Sequence, residues 1–252
     1  MTRIREEENR LLQSYLSSVG PAGVFARWVV GRKPEGISFG AYEGSRRVGV
    51  AILGPSIGLP QASSCWVFSD TAPAFTCLLA RLRSFAVGPV SFPLRFDDCA
   101  RNMGQISVDR FYTLTEIRAQ GMRNTHEVER LSRRRLGSLT IPSEMTHLIG
   151  RIEDFPDEFP FYGIVTDNTL VAVAESGVRD SHVATIQQVF TMPSARGRGL
   201  GRAIVSYVAA MLRSEGLVPT YLVAEANRGS IALAEAVGFE LDSRWGFTEL
   251  SS

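Results

Sequence analysis

The residues of this chain best suited to chemistry gather in one short stretch, SARGRGLGRAIV at 194–205. Gly197, Gly199 and Gly201 alternate with Arg196, Arg198 and Leu200, and Arg202 leads into an apolar run. Glycine tolerates left-handed backbone and lets the main chain approach a ligand closely. At a helix start, N–H groups lacking an intrahelical acceptor lie at the positive end of the dipole. Such a loop suits an anion, above all a phosphate. A Walker loop requires lysine and then Ser or Thr after its last glycine; Gly201 is followed by Arg202, and the only lysine is Lys33. A dinucleotide fingerprint is also excluded, because Arg202 and Ile204 stand where its third Gly or Ala belongs.

Other constellations are poor by comparison. Cys65, Cys77 and Cys99 are odd in number and widely spaced, which argues against a disulfide framework and for a reducing, cytoplasmic setting. His126, His147 and His182 are scattered, and no metal-ligand spacing is present. With 27 Lys and Arg against 26 Asp and Glu, the net charge is +1, so no footprint for nucleic acid is expected; Arg133, Arg134 and Arg135 read as a solvated face. The charged start TRIREEENRLL does not look like a signal peptide, and no apolar run approaches a membrane span.

The elements that must position the loop recur in two halves. Residues 4–17 carry helical spacing, AGVFARWVV suggests a second helix, and ISFGAYEGSRRVGVAIL reads as a hairpin turning at Gly44-Ser45. In the second half, 123–137 and MTHLIGRI read as helices and FYGIVTDNTLVAVAES as a hairpin turning at Asp167-Asn168. Each half continues with a strand, SCWVFSD or HVATIQQVFT, and a helix, FTCLLARLRSF or LGRAIVSYVAAMLRS. Each closes with a related strand, DRFYTLTE or DSRWGFTEL. This order implies duplication of an α/β (α+β) unit, with domains at 1–120 and 121–252 and a boundary near Ala119 to Gly121. Where the second half has PSARGRGLG the first has DTAPAFTC, so only the second half is expected to hold the anion.

The loop, with the preceding strand VFT and Pro193, resembles the pyrophosphate loop of the GNAT superfamily of acyl-CoA-dependent N-acyltransferases. AEANRGSIALAEAVGF is similar to that family's second signature, through Asn227, Ser230, Leu233 and Gly238-Phe239. The resemblance covers about 160–248, and the two-domain arrangement is most similar to the glycine N-acyltransferase-like branch. It implies tandem GNAT-like domains, the first degenerate, each a mixed, mostly antiparallel central sheet flanked by helices. It also implies acetyl-CoA, or another acyl-CoA, as cosubstrate, with its pyrophosphate on Arg196, Gly197, Arg198, Gly199, Leu200, Gly201 and Arg202. Backbone groups of Val189, Phe190 and Thr191 would hold the pantetheine and thioester, aided by Asn227 and Ser230. Helix 200–214 would bury Ile204, Val205, Val208, Met211 and Leu212 to fix the loop, and end at Gly216.

The proton-transfer seats of the family carry unusual residues. Its tyrosine acid falls at Ala234, and its base positions fall at Thr185 and Gln187. Strand alternation, with a hairpin centred near Val178-Arg179, sets Glu175 on the face of Thr185 and Gln187 and makes it the leading base; Glu225 comes second. The expected activity is transfer of acetyl to a primary amine of a small molecule or amino acid by direct attack. Alternatives are a weakened acyl-CoA-binding or regulatory protein and a protein N-acetyltransferase. A small-molecule amine is the expected partner, with no nucleic acid and no membrane; a homodimer is compatible with the sequence.

Overall fold

The computed structural model describes residues 1–33, 36–56, 59–83, 89–103, 109–116, 126–146 and 159–249. The chain divides into two compact units, Met1–Thr113 with Asp242–Ser252, and Leu114–Leu241. The expected boundary at 119–121 lies outside the described residues. The division differs from two consecutive halves in giving the final segment to the first unit.

The first unit runs β1 (Thr2–Glu8), α1 (Asn9–Ser17), α2 (Val24–Arg32), β2 (Ile37–Glu43), β3 (Arg46–Ser56), β4 (Leu59–Ser69), α3 (Ala72–Arg83), β5 (Pro89–Pro93), α4 (Asp97–Asn102) and β6 (Asp109–Glu116), which crosses into the second unit. The second continues with β7 (Glu129–Leu131), α5 (Arg133–Leu136), β8 (Phe161–Thr166), β9 (Thr169–Arg179), β10 (Val183–Thr191), α6 (Leu200–Ser214), β11 (Val218–Ala224) and α7 (Arg228–Val237). β12 (Phe239–Glu249) returns to the first unit.

Strand order is β1-β2-β3-β4-β5-β12 in the first unit and β11-β10-β9-β8-β7 in the second, and β6 spans the division at Thr113/Leu114. The closing strand DSRWGFTEL returns to the first unit, where β12 pairs antiparallel with β5 from Trp245↔Pro93 to Glu249↔Pro89. Pairing is mostly antiparallel; β4/β5 and β10/β11 are parallel, each joined through a helix. A parallel pair needs such a crossover.

Both expected hairpins are present. Asp167 and Asn168 take φ of 47° and 59°, the left-handed pair that a two-residue turn between twisted strands demands. The helix expected over 4–17 is corrected. Residues 2–8 form an edge strand in register with 37–43, because pairing with β2 satisfies their backbone while Arg3, Arg5 and Glu6 stay outside. The helix expected over 123–137 shrinks to α5, with β7 pairing β8 before it, and its first residues lie outside those described. Of MTHLIGRI, Met145 closes a single 3₁₀ turn; from His147 on it lies outside the described residues.

Helix α6 spans the expected residues and buries Ile204, Val205, Val208, Ala209 and Leu212 at three- and four-residue spacing. Met211 is only half-buried, its sulfur facing the Tyr162 hydroxyl at 3.7 Å. Gly216, at φ +79°, ends the helix, and Leu217 N–H donates back to Leu212 O at 3.0 Å.

Candidate active site

The glycine loop sits between the end of β10 and the first turn of α6. Gly197 and Gly199 have φ of +75° and +79°, and a Cβ on either would meet nothing within 4 Å. They are needed for backbone conformation and leave the space above the loop open. Gly201 is needed for packing: its Cβ would lie 3.3 Å from both Leu233 Cδ2 and Thr191 Oγ1. Gly199 is the N-cap of α6 and no side chain caps the helix, so its first N–H groups face outward beside Arg198 and Arg202. Arg196 instead folds back: its Nε donates to Thr191 O at 3.1 Å and its guanidinium lies over the Phe190 ring. It staples the loop to β10.

β10 forks away from β11. The two are in register from Val183↔Val218 to Ile186↔Tyr221, and beyond that β10 runs on to Thr191 without its parallel partner. A one-residue bulge drives the divergence. Gln187 faces Glu175 and Phe190 faces Val173, so three steps on β10 match two on β9, and Gln188 takes φ +52°. Val189, Phe190 and Thr191 lie past the bulge, half-buried, along the open edge. Main-chain groups on that edge can pair with an extended ligand as a missing strand would.

Glu175, Gln187 and Thr185 share one face, as alternation required, although the hairpin turns later than expected. Asp180 Oδ1 accepts from the N–H groups of His182 and Val183 at 2.7 and 2.8 Å and makes the turn. A second bulge, between Arg179↔Ala184 and Ser176↔Ile186, restores the face. Gln187 Nε2 donates to Glu175 Oε1 at 3.2 Å, and Glu175 is 1% exposed. Gly177 makes room for this pair. A Cβ there would stand 2.2 Å from Gln187 Nε2 and 2.7 Å from Thr185 Oγ1. A buried carboxylate held by a neutral amide is a group that can accept a proton. Glu225 lies elsewhere, half-buried in the turn between β11 and α7.

Asn227 caps α7: its Oδ1 accepts from Ser230 N–H at 3.1 Å, which leaves its amide N–H₂ for a ligand. Ser230 Oγ lies 2.8 Å from the hydroxyl of Tyr221, which burial holds in its protonated form by raising its pKa. Ala234 is fully buried on the same helix. Three features went unread in the sequence. These are the Gln188 bulge, the space-making role of Gly177, and His126, whose Nε2 lies 3.2 Å from Arg198 O at the glycine loop. Only Gly177 had a signal, an isolated glycine inside a strand pattern.

Residues 126–239 match the model of the Acetyltransferase (GNAT) family. Among solved structures, an acetyltransferase from the GNAT family of Colwellia psychrerythraea is similar at 14% identity and TM-score 0.61, over 99% of this chain and 100% of that one. A tandem GNAT protein from the clavulanic acid biosynthesis pathway matches at 14% and 0.59, over 99% and 98%. A Drosophila protein matches at 14% and 0.66, over 98% of each chain. No curated protein matches. The similarity to the GNAT acetyltransferase family is thus confined to residues 126–239, within the second unit, while the fold of the tandem GNAT structure is shared over 99% of this chain.

Proposed function

We propose, from the premise of a GNAT domain in the second unit, that this chain transfers an acetyl group from acetyl-CoA to the primary amine of a small molecule or amino acid. The observation that carries the reading is the β10/β11 fork beneath an uncapped helix start: pairing stops at Ile186↔Tyr221 while β10 continues to Thr191. The loop N–H groups would hold the pyrophosphate, with Arg198 and Arg202 adding charge. The β10 edge from Val189 to Thr191 would take the pantetheine, and the amide of Asn227 would hold its arm.

The neutral amine attacks the thioester carbonyl. Glu175, steadied by Gln187, accepts the proton it sheds, directly or through water. A main-chain N–H of the open β10 edge stabilises the oxyanion as charge develops. As the C–N bond forms the C–S bond breaks, and the sulfur leaves as a thiolate, which a thiol of pKa near 8.5 permits. The two-domain, glycine N-acyltransferase-like arrangement suggests amino acids as the first acceptors to try.

The test is release of CoA thiol from acetyl-CoA with a panel of primary amines, amino acids and lysine peptides, with product mass as confirmation. Amine-dependent release above hydrolysis is expected, and Glu175→Gln should lower kcat by about 10²–10⁴-fold while acetyl-CoA still binds. Binding without amine-dependent release would favour the acyl-CoA-binding alternative, and activity confined to peptides would favour protein acetylation.

A further inference from the structure

Ala234 leaves the departing sulfur without the tyrosine that the GNAT resemblance places there, but the hydroxyl of Ser230 stands one helical turn earlier on α7. Tyr221 is the last β11 residue paired with β10 and is 1% exposed. Its oxygen lies 2.8 Å from Ser230 Oγ in the first turn of α7. Ser230, Leu233, Ala234 and Val237 fall on one stripe of that helix by three- and four-residue spacing. The stripe borders the fork, because Leu233 packs on Gly201 beside Thr191.

The hydrogen count decides the roles. Two hydroxyls carry two hydrogens and share one contact. A phenol this deeply buried must spend its hydrogen on a partner. Either hydroxyl can donate across this contact; with Tyr221 as the donor, the hydrogen of half-buried Ser230 is left to be given elsewhere.

We infer that Ser230, oriented by Tyr221, donates a hydrogen bond to the thiolate sulfur as the C–S bond breaks, in place of the acid absent at Ala234. The inference rests on the acyl-transfer reading. No proton changes hands at this step: the electron pair of the C–S bond stays on sulfur, and Ser230 stabilises the negative charge. Tyr221 acts only through Ser230 and is a positioning residue.

A comparison of CoA with desulfo-CoA, which lacks the sulfur, tests this by calorimetry at a pH at which the free CoA thiol is mostly ionised. The parent should bind CoA about tenfold more tightly than desulfo-CoA, the scale of a hydrogen bond to a charged group. Ser230→Ala should bring the ratio near one, Ser230→Thr should restore it, and Tyr221→Phe should fall between. In turnover, Ser230→Ala should lower kcat about tenfold with KM for acetyl-CoA steady. A ratio unchanged in folded Ser230→Ala, or equal affinities in the parent, overturns the sulfur contact alone. A parent that binds neither ligand overturns the acyl-CoA reading itself.

Discussion

Gly199 and Gly216 flank the same helix at the same φ, +79°, and a Cβ on either would meet nothing within 4 Å. They form a matched pair that separates backbone strain from ligand contact. Alanine at either position incurs only the left-handed penalty, about 1–2 kcal/mol. In a chain of 252 residues that lowers Tm by about 2–4 °C per kcal/mol, well within the stability of a folded domain. At Gly199 the added methyl enters the open space over the first N–H groups of α6, where the pyrophosphate is proposed to lie. Losing one charge-assisted hydrogen bond there is worth about 1.5–3 kcal/mol, or roughly 10–100-fold in affinity. Thermal unfolding of Gly199→Ala and Gly216→Ala should therefore show similar Tm losses. Calorimetric titration with CoA should show weakened binding in Gly199→Ala alone. Parent-like affinity in Gly199→Ala, or equal loss in both variants, would refute the assignment of the loop as the anion seat.

Gly177→Ala should disturb the proposed base from a distance, because its Cβ would displace Gln187 from Glu175; about 1–3 kcal/mol of stability is lost to such overpacking, and kcat should fall more than acetyl-CoA affinity. Acetyl-CoA should titrate to one equivalent per chain. In the first unit the start of α3 is already served by side chains, since Thr71 Oγ1 accepts from Ala74 N–H at 3.4 Å and Asp70, paired with Arg46, places negative charge beside it. A stoichiometry of two would contradict this. Ala234→Tyr should lower Tm by several degrees rather than restore an acid, because the site is fully buried and added volume at such a site overpacks it; higher turnover at unchanged Tm would show that the ring reaches the fork.

What the sequence determined by itself is local. The alternation of ISFGAYE and FYGIVT, the Asp167-Asn168 turn, the length of α6 and its glycine stop each depend on near neighbours, and each stands where its pattern put it. The glycine loop and the Asn227 cap were legible for the same reason, as was the face shared by Glu175, Thr185 and Gln187. Tertiary structure decided what depends on distant partners. Residues 4–8 begin the helical spacing read over 4–17 yet belong to a strand, because β2 offers an edge whose hydrogen bonds outweigh a weak intrinsic preference. DRFYTLTE and DSRWGFTEL look alike, and no periodicity says that the second returns to the first unit; that appears only in the pairing of β12 with β5. The bulge at Gln188 leaves no mark on composition, since it arises where β10 must hold β9 on one side while parting from β11 on the other. That divergence creates the open edge on which the proposed chemistry depends. The meeting of Tyr221 with Ser230 follows from the βα turn that folds α7 back over its own strand, a distance in space and not in sequence pattern.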